Sequence, residues 1–296
     1  MSMLGTPKGA KSAGDQRAES PPSAWFARLL AARKPAVMGI LNVTPDSFSD
    51  GGRFFDPAAA IDHARAMIAE GADILDIGAE STRPYGGQRP VDAREERRRL
   101  EPVLSAVCAL GVPVSIDTMK AEVARWALAQ GARMANDVWG LQRDPAMAAV
   151  VAEHGCPVIV MHNRDTADPA LDIMAEMERY FARSLEIAAR AGIVRERIVL
   201  DPGIGFGKVA DQSIEAIARL GRLRAFGLPL LLGASRKRFI DGISPAPPDQ
   251  RLGGSIAAHV IGVLNGAAII RAHDVAETVQ ALKVAAAIQG RAKAPS

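Results

Sequence analysis

Short apolar segments recur along the chain from Pro35 onward, each followed by a longer stretch with helical periodicity. The junctions read EGADILDIG, LGVPVSID, QGARMAND, HGCPVIVM, RIVLDPG, FGLPLLLG and NGAAIIRAH, and the opening run AVMGILN adds one more apolar segment. In most junctions a glycine, a residue that often ends helices, stands just before the apolar run. This alternation is typical of βα units, and it predicts eight strands.

The predicted strands are apolar at nearly every position, which indicates strands that are covered on both faces. Parallel strands packed between helices have this character. Eight such units follow one another without a change in amino-acid composition. They predict an α/β fold of the TIM-barrel class, a single-domain (β/α)₈ barrel over residues 34–292. An open, doubly wound sheet of eight strands is the alternative arrangement.

Helix starts can also be recognised in the intervening segments. Asp56 and Asp144 each precede a proline, so each is expected to cap a helix whose first position suits proline. After the first of them, Ile61, Ala64 and Ile68 fall on one helical face.

The first 33 residues differ in composition from the rest, and we expect them to form a flexible N-terminal extension. They contain no apolar signal-peptide core, and Asp15 and Glu19 argue against a transit peptide. Within this region, the segment SAWFARLLAARK at residues 23–34 is amphipathic. It is predicted to form a short helix that caps one end of the domain, with binding to a membrane surface as the alternative.

Composition narrows the possible functions. The net charge is +3, but residues 1–34 hold six Lys or Arg against two Asp or Glu, so the remainder carries 30 against 31. Such a balance argues against a nucleic-acid-binding surface. No apolar run approaches the roughly 20 residues of a membrane span, and only Cys108 and Cys156 are present. A cytoplasmic protein is expected.

Polar residues follow the predicted strands at their carboxyl ends, where barrels of this class hold their active sites. A single polar residue at a strand end is commonly a helix cap or a loop hydrogen bond. Here every strand supplies at least one, which favours a shared small-molecule site. In chain order they are Asn42, Glu80 with Thr82 and Arg83, Asp117, Asn136 with Asp137, His162, Asp201, Ser235 with Lys237, and Arg271 with His273.

The chemistry of these residues suggests two halves of a site. Asp117 and Asp201 follow apolar strands, and a carboxylate entering such a partly dry place needs hydrogen-bond donors. Arg271 and His273 are two apart and so are expected to point the same way. A guanidinium beside an imidazole suits phosphate, although both residues pairing with Asp274 is the alternative.

Other candidates carry less chemistry. His63, His154 and His259 lie on helical stretches and are expected to be surface or packing residues. The segment DPGIGFGK at residues 201–208 does not have the spacing of a phosphate-binding loop. We interpret it as a tight loop that brings the backbone near a ligand and presents Phe206.

These motifs, taken together, resemble those of the dihydropteroate synthase family over about residues 36–289. The matching segments, in order, are GILNVTPDSFSDGG at 39–52, ESTRP at 80–84, SIDT at 115–118, AND at 135–137, VMH at 160–162, LDPGIGFGK at 200–208, GASRK at 233–237 and IIRAHDV at 269–275. One departure is Tyr85, which stands where the family pattern has glycine and adds bulk to a loop near the expected aminobenzoate site.

The resemblance implies condensation of 6-hydroxymethyl-7,8-dihydropterin diphosphate with para-aminobenzoate, giving dihydropteroate and pyrophosphate in folate synthesis, with sulfonamides as mimics of the aminobenzoate. It implies a pterin site of Asp117, Asn136, Asp201 and Lys237, with Met161 and Phe206 lining the ring. It implies a diphosphate and Mg²⁺ site, with Asn42 as the metal ligand and with Thr82, Arg83, Arg271 and His273. It implies an aminobenzoate site of Phe48, Asp50, Pro84 and Ser235.

The catalytic group implied is Asp117, Asp201, Lys237, Arg271 and His273, and the implied assembly is a homodimer through helices late in the chain. We expect a dissociative substitution in which pyrophosphate leaves before the arylamine attacks, because leaving-group charge is what Mg²⁺ and cationic side chains stabilise. Two alternatives are a non-catalytic pterin-binding relative and a methyltetrahydrofolate:corrinoid methyltransferase.

Overall fold

The computed structural model describes residues 24–32, 34–44, 56–80 and 91–292. Its strands are all parallel and close into one barrel in chain order, with β8 pairing with β1. The prediction of a (β/α)₈ barrel is therefore confirmed, and the open-sheet alternative is excluded. The strands are β1 (Ala36–Asn42), β2 (Ile74–Gly78), β3 (Val114–Asp117), β4 (Met134–Asp137), β5 (Val158–Met161), β6 (Ile198–Asp201), β7 (Leu230–Leu232) and β8 (Ala267–Ala272).

Helices cover the outside of the barrel, and some βα connections carry more than one. They are α1 (Ala24–Ala31), α2 (Pro57–Glu70), α3 (Ala93–Leu100), α4 (Leu104–Cys108), α5 (Ala121–Ala129), α6 (Met147–His154), α7 (Ile173–Ala191), α8 (Ala210–Ala218), α9 (Arg238–Ile243), α10 (Leu252–Leu264) and α11 (Val275–Ala292). Short 3₁₀ turns at Arg195–Arg197, Leu220–Phe226 and Pro248–Gln250 complete the connections.

Successive residues of each strand face opposite sides, and this sorts the core into two layers. On β5, for example, Val158 and Val160 pack under the helices, whereas Ile159 belongs to the cluster that fills the barrel interior. The next inward-facing residue of each strand, two positions further along the chain, lies above that cluster, toward the carboxyl ends. On β5 and β6 these residues are Met161 and Asp201, which are partners in register.

Helix α1 closes the amino-terminal end of the barrel. Its Trp25 and Phe26 are 7% and 1% exposed and pack with interior residues such as Met38 and Ile74. The guanidinium of Arg133 lies 5.6 Å from the centre of the Trp25 ring. The predicted capping helix is thus present over residues 24–31. The boundary between an extension of residues 1–33 and a domain of residues 34–292 stays a prediction.

The helix signals hold in most places, with one correction. Asp56 caps α2 by accepting a hydrogen bond from the backbone N–H of Ala58, as predicted. At Asp144, however, the helix begins only at Met147, because the Asp144 carboxylate is shared between the N–H groups of Ala121 and Ala146. The glycine of each junction that has one before its strand has a positive φ, as an end-of-helix glycine should.

No helix within the described ranges is long and apolar enough to cross a membrane. The three histidines expected to be peripheral lie away from the strand ends: His63 is exposed on α2, His154 bonds to the carbonyl of Val150, and His259 is buried on α10.

Candidate active site

A cleft opens at the carboxyl ends of the strands, as the sequence predicted. Residues from β3, β4, β5, β6 and β8 and from the loops after β4, β6 and β7 line it, so side chains far apart in sequence meet in one place. The lining residues are Asp117, Asn136, Val138, Met161, Asp201, Gly203, Ile204, Phe206, Gly233, Lys237 and Arg271. The acidic residues and the cationic ones therefore share one cavity.

The two carboxyl groups of the cleft are both buried, and burial raises the pKa of each. For Asp117 the pKa rises to about 7, because desolvation outweighs the attraction of Arg271. The pKa of Asp201 is also raised by burial, against the N–H of Gly203, which donates to Oδ1 at 2.8 Å. Asp117 Oδ1 has no hydrogen-bond partner among the described residues, so it is an acceptor available to a ligand.

Arg271 is held on the floor of the cleft by two carboxylates. Its Nε donates to Asp76 Oδ2 at 2.6 Å and its terminal nitrogen donates to Asp117 Oδ2 at 2.7 Å. Burial alone would lower the pKa of Arg271, but these two carboxylates raise it above its usual value. The alternative pairing with Asp274 is wrong for this residue, because Asp274 pairs with Arg236 instead.

His273 lies just beyond the end of β8, two residues after Arg271, and is oriented by Ser235. The Ser235 hydroxyl lies 3.0 Å from Nδ1 of the ring and accepts the backbone N–H of His273 at 3.2 Å. Burial and the nearby charges of Arg271 and Arg236 lower the pKa of His273 to about 3. The imidazole is therefore neutral near pH 7 and acts as a hydrogen-bonding group rather than as a cation.

The loop that follows β6 presents Phe206, as predicted, and a buried lysine supports it from below. Lys208 is 1% exposed and donates to the carbonyls of Gly203 at 2.9 Å and Phe206 at 3.1 Å, while its Nζ lies 2.7 Å from His162 Nδ1. Above the loop, Lys237 Nζ lies 4.2 Å from the centre of the Phe206 ring. An aromatic face and an ammonium group therefore meet at the rim of the cleft.

Among the described residues, Asn42, Ser235 and His273 are absent from the lining of the cleft, and so are three further polar residues predicted at strand ends. Glu80 pairs with Lys120 at 2.5 Å and accepts the N–H of Val91. Asp137 points outward, where its carboxylate accepts the N–H groups of Trp139 and Leu141 and its pKa is raised by burial to about 6. His162 faces outward as well, and the centre of its ring lies 4.8 Å from that of Tyr180 on α7. These residues have the capping and packing roles that a lone polar residue usually has.

Other expected site residues are either absent from the lining of the cleft or outside the described residues. Asn42 is at the carboxyl end of β1, in register with Gly78 of β2. Phe48, Asp50, Thr82, Arg83 and Pro84, and the variant position Tyr85, are outside the described residues. Their assignments to the diphosphate and the aminobenzoate stay predictions.

Two residues that support the site were not predicted from the sequence. Asp76 is fully buried in the middle of β2, and Lys208 is buried under the loop after β6. Neither residue lies at the carboxyl end of a strand. The available signal was a charge within an apolar segment, since a buried charge requires a partner.

Comparisons with known proteins agree with this geometry. A family model described as pterin binding enzyme matches residues 38–273. The dihydropteroate synthase of Escherichia coli strain K12 is 46% identical over 257 residues, which are 84% of this chain and 90% of that protein. The chain belongs to the dihydropteroate synthase family of pterin-binding enzymes. The family, its transferase class and its fold, all expected from the sequence, are thereby confirmed.

Solved structures of this family are similar over most of their length. A dihydropteroate synthase from Xanthomonas albilineans in complex with 7,8-dihydropteroate has a TM-score of 0.80 at 42% identity, covering 89% of this chain and 95% of that one. The Yersinia pestis dihydropteroate synthase in a sulfonamide drug complex has a TM-score of 0.81 at 41% identity, covering 87% and 95%.

Proposed function

We propose that this chain joins 6-hydroxymethyl-7,8-dihydropterin diphosphate to para-aminobenzoate, forming dihydropteroate and pyrophosphate for folate synthesis. The observation that carries the proposal is the convergence of Asp117, Asn136, Asp201, Lys237 and Arg271 on one cleft. The family relatives, including one solved with 7,8-dihydropteroate, support the same substrates. They do not support the methyltransferase or the non-catalytic alternative.

The acceptors of the cleft suit the pterin ring. The amino-pyrimidine edge of a pterin presents adjacent N–H donors, and a buried carboxylate such as Asp201 can accept two of them. Asp117 Oδ1 and Asn136 Oδ1 add two acceptors that have no partner in the described part of the chain. Met161 and Phe206 provide apolar surface for the faces of the ring.

The reaction we propose is a dissociative substitution at the exocyclic methylene carbon. The carbon–oxygen bond breaks, pyrophosphate departs with the electron pair, and the arylamine nitrogen attacks the resulting cation and loses a proton. Negative charge grows on the leaving group in the transition state, where cationic donors act most strongly. We assign the guanidinium of Arg271 and the neutral ring of His273 to this part of the substrate.

Mg²⁺ is proposed as the cofactor, with Asn42 as a ligand. The amide oxygen of Asn42 is a hard ligand of the kind that Mg²⁺ accepts, and it lies at a strand end facing the active side of the barrel. Within the described ranges no group of three or more His, Cys, Asp or Glu residues is placed to hold a metal. This suits an ion that shares substrate phosphates and water with one protein ligand. When bound, it would neutralise charge on the diphosphate.

A homodimer and a cytoplasmic location are also proposed. Helices α10 and α11 expose large apolar side chains, with Leu264 53% and Ile288 65% exposed. A second copy of the chain covering these helices would remove that surface from water. Light scattering that gives the mass of a single chain at micromolar concentration would contradict the dimer.

The decisive experiment mixes the purified protein with the pterin diphosphate, para-aminobenzoate and Mg²⁺ and measures pyrophosphate. Release that requires the arylamine, stops with a chelator and resumes with Mg²⁺ supports the proposal. Asp201→Asn should abolish most of this release, whereas Asp211→Asn, on the exposed surface of α8, should leave it unchanged. Pyrophosphate formation at the same rate without para-aminobenzoate, or none at all, would contradict it.

A further inference from the structure

Asp76 lies one layer below the cleft, and its side chain is 0% exposed. It is in register with Ser115 of β3, two residues before Asp117, so it faces the barrel interior beneath the ligand-facing residues. One of its oxygens, Oδ2, accepts hydrogen bonds from both Arg271 Nε at 2.6 Å and Asn136 Nδ2 at 3.0 Å. Asp76 therefore contacts two residues that line the cleft, although Asp76 itself is not part of the lining.

The hydrogen bond between Asn136 and Asp76 determines how the amide of Asn136 is turned. A carboxylate oxygen only accepts hydrogen bonds, so Asn136 must direct its NH₂ group toward Asp76. The amide oxygen then lies on the other side, and it has no partner among the described residues. Asp76 thus makes the cleft face of Asn136 an acceptor, which matches a ring edge that donates.

The hydrogen bond between Arg271 and Asp76 helps to fix the plane of the Arg271 guanidinium. The guanidinium reaches from β8 across β1 to Asp76 on β2 and to Asp117 on β3, and the two carboxylates hold different nitrogens of the planar group. Two anchors fix its orientation, whereas one would allow rotation about the remaining bond. A charge at this depth without its partner would also be costly.

We propose that Asp76 is a positioning residue for binding of the pterin diphosphate, because it sets the amide of Asn136 for the pterin ring and the guanidinium of Arg271 for the diphosphate. The inference rests on the proposed function, because it assigns a pterin to the cleft. Asp76 itself touches the substrate in none of these roles. Its loss should therefore affect the affinity for the pterin more than the affinity for para-aminobenzoate.

The test compares Asp76→Asn with a matched control, Asp73→Asn. Asp73 precedes the same strand at the opposite end of the barrel, where it pairs with the exposed Lys34. For Asp76→Asn we expect the Kd for 6-hydroxymethylpterin and the KM for the pterin diphosphate to rise by about tenfold to a hundredfold. The KM for para-aminobenzoate at saturating pterin should stay within about twofold, and Asp73→Asn should match the parent in all three.

A second variant guards against misfolding. Asp76→Glu keeps the charge that compensates Arg271 but moves the carboxylate by one carbon–carbon bond, so the chain should fold and pterin affinity should still fall about tenfold. Either variant, folded and with pterin Kd and KM within about twofold of the parent, would overturn the proposal. A general loss of stability would raise no such split between the two substrates. If the parent neither binds the pterin nor releases pyrophosphate, the proposed function fails instead.

Discussion

Replacement of Gly203 by alanine should damage both the fold and the pterin site, because no space exists for a side chain there. Gly203 has φ +63°, and a Cβ at this position would lie 2.0 Å from the carbonyl oxygen of His162. Ordinary contacts of a Cβ begin at 3.4 Å, so the loop must shift by about 1.4 Å. The shift would disturb two bonds of the loop, from its N–H to Asp201 and from Lys208 to its carbonyl.

Gly227 provides a matched control for the backbone conformation. Its φ is +65°, nearly the same, but a Cβ there would meet nothing within 4 Å. Gly227→Ala should therefore cost only the left-handed conformation, about 1–2 kcal/mol. Gly203→Ala should cost about 1–3 kcal/mol more for overpacking. In a barrel of this size each kcal/mol lowers Tm by about 2–4 °C.

The assay is urea unfolding followed by circular dichroism, together with pterin binding by titration calorimetry. We expect Gly203→Ala to be the less stable variant and the one that binds the pterin more weakly, since only Gly203 lines the cleft. Equal losses of unfolding free energy in the two variants, with unchanged pterin affinity, would refute the reasoning. The clash would then be relieved without cost.

Three further changes test other parts of the structure. Lys208→Met should lower the unfolding free energy by about 2–4 kcal/mol in urea titrations, because two buried carbonyls lose their donor. The control Lys34→Met, at an exposed ion pair, should cost less than about 1 kcal/mol. Equal losses of unfolding free energy in the two variants would contradict this. Burial lowers the pKa of His259 to about 4 from an ordinary 6.5. Between these two pH values the unfolded state therefore binds one more proton than the folded state. As the pH falls from 6.5 to 4.5, the unfolding free energy of the parent should decrease by about 2–3 kcal/mol more than that of His259→Asn. Parallel plots of unfolding free energy against pH for the two proteins would refute this. Arg271→Ala, checked for folding, should lower kcat for pyrophosphate release by about a hundredfold or more; turnover within a few-fold of the parent would remove Arg271 from the diphosphate site.

Local rules in the sequence determined most of the architecture. Strands that are apolar throughout, glycines before them and acidic caps before helices each depend on a few neighbouring residues, so eight βα units could be predicted without coordinates. The same period-two alternation explains why Asn136 enters the cleft while Asp137 faces outward. The same alternation places Asp76 on the inner face with Ile74, although Asp76 lies within β2 rather than at its end.

Closure of the barrel determined which charged side chains pair with one another. Arg271 and Asp76 are 195 residues apart, and their bond exists because β8 pairs with β1 at a particular register and β1 pairs with β2. The pairing of Asp274 with Arg236, which replaced the pairing considered for Arg271, likewise depends on the pairing of β7 with β8. Sequence periodicity shows which face a residue occupies, but partner choice depends on long-range register. Register is fixed only when all eight strands pack around one interior.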